Sequence, residues 1–187
     1  MKRWVGPIVG AVLLAGLVHV ATVFAMPYAL MSVVMRGTVE KAGGANTFLH
    51  VPRTTPQTQT VVRSSPDLAY SSCSIDLSGG PVEVEVNRTA APGIVALYNG
   101  NTDTIWSAGD LVMLPEDVVL TAPVRLFITR DQADRSPPPG STVVTLSSDK
   151  ALLLVRRLAP TAEAFAAVDV ERQSDVCQAF TAEPGQS

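Results

Sequence analysis

The stretch VGPIVGAVLLAGLVHVATVFA, residues 5–25, limits this chain more than anything after it. As a helix at about 1.5 Å per residue it is long enough to cross a hydrocarbon core, and in lipid a lone segment can satisfy its backbone only as a helix. Lys2 and Arg3 precede it, and the next formal charge is Arg36. A secretory signal also begins with a charged pair and an apolar run, and Val23-Phe24-Ala25 is an acceptable cleavage site. The apolar character continues past Pro27 to Met35, however, so residues 1–36 read as an uncleaved anchor. The cysteine-bearing remainder favours a cytoplasmic N-terminus and an exported C-terminus. His19 falls inside the span, where a neutral imidazole reads as packing. Residues 28–42 are expected to form a separate short helix, lying along the membrane or leading away from it.

Without Lys2 and Arg3 the chain carries 12 bases against 17 acids, a net of minus 5, which excludes a basic nucleic-acid binder as the default. Residues 37–66, rich in Gly, Pro, Thr and Gln, read as a linker. Residues 67–180 read as one exported β-rich domain and residues 181–187 as a disordered tail. In SSPDLAYSSCSIDLSGGPVEVEV, Ala69, Ser71, Cys73, Ile75 and Leu77 share one face of a strand, and Tyr70, Ser72, Ser74 and Asp76 the other. Val82, Val84 and Val86 alternate with Glu83 and Glu85 beyond an SGGP break, so the two strands look like a hairpin. Further strands are expected at 93–98, 104–108, 111–114, 123–129, 141–146 and 151–155, a spacing that argues for a mainly β fold, a β-sandwich or jelly-roll-like domain. The proline-rich 130–141 reads as an exposed loop. After it, a short C-terminal helix should start at Pro160 or Thr161.

No catalytic residue is assigned. Ser71, Ser72, Cys73 and Ser74 offer nucleophiles, but the two histidines are His19 in the span and His50 in the linker, and no Gly-x-Ser-x-Gly elbow exists. Cys73 and Cys177 are too far apart in sequence, with no histidine beside them, to suggest zinc. In an oxidising compartment they are a disulfide candidate, which would tie the C-terminal helix to the first strand. In NGNTDTIWSAGD, Asn99, Asn101, Asp103 and Asp110 follow the oxygen-ligand spacing of a calcium loop. Thr104 stands where that loop has glycine, however, and the bland reading is a turn whose Asn and Asp side chains bond its own backbone. Calcium is thus the one cofactor candidate. Tyr98, Asn99, Asn101, Asp103, Trp106 and Asp110 together could form a sugar or small-ligand cleft. Asp103 and Asp110 are also the carboxylates that a rival reading, an envelope glycan or lipid enzyme, would use.

SPDLAYSSCSIDLSGGPVEVEV, LYNGNTDTIWSAGD, VRLFITRD, LLLVRRLAP and VERQSDVC resemble the bacterial domain-of-unknown-function family 1254, in its short, membrane-anchored alphaproteobacterial form. The resemblance covers roughly residues 46–178 and is most specific over 65–110, on Pro66, Asp67, Tyr70, Asp76, Leu77, Gly80 and Pro81. Pro92, Gly93 and Ile94 depart from it, standing where relatives tend to place bulky aromatics. The resemblance implies a β-sandwich-type fold, a bacterial envelope address and a frequent companion domain, family 1214, but no established reaction. A separate family 1214-type envelope protein is accordingly the expected partner besides the membrane, with Tyr98, Trp106 and Arg125 as expected contacts.

Overall fold

A computed structural model describes residues 2–58, 64–109, 122–130 and 137–181. After a single turn at Lys2–Trp4, helix α1 runs without a break from Val5 to Ala42 and stops at Gly43, whose φ of 81° suits the left-handed position that ends many helices. The separate helix expected over 28–42 is therefore a continuation of the first. Pro27 lies inside it, but Met31, Met35 and Thr38 beyond the proline are buried, and their packing holds the last three turns in line with the rest.

The described strands form two sheets. Sheet A has the order β1-β2-β8-β4-β5 and comprises Phe48–His50, Leu68–Asp76, Lys150–Leu158, Gly93–Tyr98 and Thr104–Gly109 respectively; sheet B has the order β7-β6-β3-β9 and comprises Thr142–Thr145, Val124–Thr129, Val82–Val86 and Val176–Ala179. Cys73, Ile75, Leu97, Leu153 and Val155 from sheet A meet Val82, Val84, Val86, Leu126, Ile128 and Cys177 from sheet B in one buried cluster, so the sheets face each other as a sandwich. The clean alternation of β3 is realised, with its valines buried and its glutamates half-buried on the other face.

Three expectations change. The SGGP segment does not close a hairpin: β2 pairs with β1 and β8, whereas β3 pairs with β6 and β9. Asp76 Oδ1 accepts from the Ser78 amide, Gly80 takes a φ of 122°, and the chain crosses from one sheet to the other there. The stretch 37–66 is not all linker, since it holds the end of α1 and all of β1. Asn46 fixes that entry, donating from Nδ2 to the Asp76 carbonyl and accepting from the Asp76 amide. The C-terminal helix α2, Ala162–Arg172, starts just after the expected Pro160 or Thr161 and is capped by Thr161, but it ends before Cys177, which belongs to β9. The disulfide between Cys73 and Cys177, whose Cα atoms are 6.7 Å apart, therefore joins sheet A to sheet B and not the helix to a strand. In sheet B, β7 pairs with β6 in parallel. The strand expected at 111–114, half of the 130–141 loop and most of the 181–187 tail lie outside the described residues.

The serine-rich β2 is covered on both sides. Its inward residues enter the core, while Ser72 and Ser74 on the outer face are buried as well. Helix α1 lies against β1 and β2, and Met31 and Met35 cluster with Leu152 and Tyr98 on that outer face.

Candidate functional site

Tyr98 and Trp106 flank the β4–β5 turn but do not face one another. Leu97 pairs with Trp106 across the ladder, so Trp106 shares the inward face and packs against the core. Tyr98 points to the opposite face, under α1. No joint stacking platform results. Between them, Asn99 Oδ1 accepts from the amides of Asn101 (3.1 Å) and Asp103 (2.9 Å), and Asn101 Nδ2 donates to Asp103 Oδ2 at 2.8 Å. The oxygens with calcium-loop spacing are thus engaged in closing their own turn. Asp110 lies outside the described residues, and among the described residues no three His, Cys, Asp or Glu side chains cluster. Arg125 sits on the outer face of sheet B, paired with Glu85 at 2.9 Å, so the three expected contact residues occupy three different surroundings.

The other chemically equipped place is the end of the sandwich beside α2. β1 pairing brings His50 opposite Ser71, with Nδ1 2.9 Å from Oγ. The expectation that no histidine could reach these serines is overturned, because three residues of the supposed linker form a strand. The pair has the spacing of a nucleophile and its base, yet Ser71 is only 1% exposed. Among the described residues no carboxylate is left to orient the ring: Asp175 accepts two hydrogen bonds from Arg157 and one from the Asn87 amide, and Asp169 pairs with Arg172. His50 and Ser71 satisfy each other inside the fold.

Around them lies a buried charge network. Arg157 and Asp175 form a two-pronged ion pair at 2.8 and 2.9 Å, with side chains 3% and 0% exposed, and Arg157 also donates to the Asn87 carbonyl. It joins β8 of sheet A to the residue entering β9 of sheet B. Arg172 donates to the carbonyls of Tyr70 and Val51 and lies 5.1 Å from the centre of the Phe165 ring, fixing α2 to β2 and to the chain beyond β1. Sequence reasoning missed both arginines, although a signal exists. Arg157 falls in phase with Ala151, Leu153 and Val155, and Arg172 lies one helical turn after Val168, so each is a charge on an apolar face. Beside Arg157, a cleft lined by Asn87, Thr89, Gly93, Gly109 and Val124 has a volume of about 30 Å³, room for about one water.

Burial and the nearby Arg172 guanidinium hold the His50 pKa below its usual 6.5. The folded protein therefore favours the neutral ring. Stability from this group is present above pH 6.5 and is lost as pH falls through the lowered value. In urea titrations, His50→Gln is expected to flatten the loss of stability just below pH 6.5. An unchanged slope would show that His50 is not the group responsible.

A family model described as a protein of unknown function, DUF1254, matches residues 45–178. The chain belongs to this family. The match begins after α1, ends within β9, and takes in the disulfide, the His50–Ser71 pair and both buried arginines. No curated protein matches this DUF1254 chain. Among solved structures, a Vibrio parahaemolyticus protein is similar at 14% identity and a TM-score of 0.58, over 86% of this chain and 40% of that one, which shows a shared fold. An uncharacterised Burkholderia cenocepacia protein is similar at 16% identity and a TM-score of 0.41, over 88% of this chain and 43% of that one. This DUF1254 chain thus spans less than half the length of either.

Proposed function

We propose that this is a single-pass protein of the bacterial inner membrane, with its N-terminus in the cytoplasm and a periplasmic β-domain that binds or assembles with a partner. The observation that carries the reading is the packing of Met31 and Met35 on Leu152 and Tyr98: the apolar helix is part of the domain's own fold, so the domain travels with its anchor. Other features support a non-catalytic role. Ser71 is enclosed, Asp103 is tied into its turn, and the cleft beside Arg157 holds about one water.

The partner proposed is a separate envelope protein carrying a family 1214-type domain. In the Vibrio parahaemolyticus structure the same fold accounts for 40% of a longer chain, an arrangement that two separate chains could reproduce by docking. Such an interface would bury about 1,200 Å² or more. Sharing one membrane raises effective concentration, so a modest affinity suffices.

The native cysteines are both in the disulfide. Ile105→Cys, beside Trp106, and Arg125→Cys, both at exposed positions, would each supply a single free thiol. A membrane-impermeant thiol cross-linker applied from the periplasmic side, with the companion co-expressed, is expected to give a heteromeric adduct from at least one position. Absence of any labelling would overturn the orientation. Labelling without a heteromeric adduct would overturn the partner.

A further inference from the structure

The helix is uncharged for longer than a membrane needs. From Val5 to Met35 it carries no formal charge, a length of about 46 Å at about 1.5 Å per residue. The hydrocarbon core is about 30 Å thick, but the bilayer with its headgroup layers is about 40–45 Å. At a common tilt of about 20° the uncharged run spans about 43 Å, the whole bilayer. Arg3 and Arg36 then mark its two outer margins. Burial agrees with this placement. Past Ala25 the domain covers one side of α1, through Met31, Met35 and Thr38, while Tyr28, Leu30, Val33 and Val34 on the open sides are 46–60% exposed. A helix meant to stand in water would carry polar residues there. Between α1, from His19 to Leu30, and Thr102 of the β4–β5 turn lies an open, mainly apolar space of about 460 Å³ that none of the described residues fills.

We infer that lipid surrounds the open sides of α1 as far as Met35, so that the outer face of sheet A lies against the membrane with the β4–β5 turn beside the helix. Acyl chains occupy the space beside Thr102. Lipid is the occupant chosen because the exposed apolar surface is continuous with the spanning segment, with no charge dividing the two. The inference rests on the reading of residues 5–25 as a retained anchor, and it adds a position for the domain, held at the bilayer instead of projecting from it.

With the native cysteines paired, Val33→Cys and Glu40→Cys each give one free thiol for a nitroxide label. The full-length protein is reconstituted in bilayers of phosphatidylethanolamine and phosphatidylglycerol, and each label is relaxed with oxygen and with a water-soluble nickel chelate. At position 33 oxygen is expected to relax the label more than nickel does; at position 40 the order reverses. Preference for nickel at position 33 would overturn the proposal, as would protection there from both agents, which would mean a protein partner covers this side. Intact mass of the same sample separates the two readings. A chain starting at Met26 removes the anchor and this proposal together, whereas a full-length chain with a wet position 33 overturns this proposal alone.

Discussion

Asp175→Ala is expected to destabilise the protein by about 3–5 kcal/mol, because it leaves a buried guanidinium without its counter-charge. Arg157 has almost no solvent to turn to, and the Asn87 amide loses its acceptor as well. Against a typical total of about 5–15 kcal/mol, this is a large part of the protein's stability. At a urea dependence of about 2 kcal/mol per molar, the unfolding midpoint should fall by roughly 2 M. Replacing both partners, Arg157→Met with Asp175→Leu, should recover much of the loss, since apolar groups of similar volume often substitute for a buried pair at little net cost. Recovery will be partial, because Asn87 still loses two hydrogen bonds. A midpoint for Asp175→Ala within a few tenths molar of the unchanged protein would show that the pair contributes little.

Reducing the disulfide between Cys73 and Cys177 is the second large effect. The bridged residues are 104 apart, and in the chain-entropy model a loop of about that length contributes on the order of 4–5 kcal/mol by restricting the unfolded chain. Unreduced protein unfolded in urea should take up no thiol reagent; after reduction it should take up two equivalents per chain and unfold at a lower urea concentration. Two equivalents without reduction would end the claim. Asp175 and Cys177 are neighbours at one end of β9, so the two perturbations share a strand and should not add. Whichever is broken first frees β9 from sheet A and leaves less for the second to lose.

What could be read in advance follows from how far each signal reaches along the chain. The apolar helix and the alternating valines of β3 are local patterns, and local patterns survive folding. β1 is three residues long, too short to show a period, and with it went the nearness of His50 to Ser71. The SGGP segment looks the same whether the chain turns back beside β2 or crosses to the facing sheet, because a turn signal does not say which edge the next strand will find. β9 follows a helix closely and reads as its extension. At the ligand positions, residue types alone placed Tyr98 and Trp106 together; the one-residue difference in phase set by the Leu97–Trp106 pairing separates them. Arg157 is legible in principle, as a charge in phase with Ala151, Leu153 and Val155, and a reading of the alternation for its apolar members only passes over it.

The position of β8 between β2 and β4 governs when this protein can fold. Both neighbours of β8 are made long before it, so β2 and β4 wait with unpaired edges until Leu158 has been synthesised, and sheet B waits longer for β9. Contacts this distant in sequence form slowly. While they form, the open edges are available to any other strand. The chain therefore spends its most vulnerable interval with both sheets open, and the four-residue β9 is what ends it.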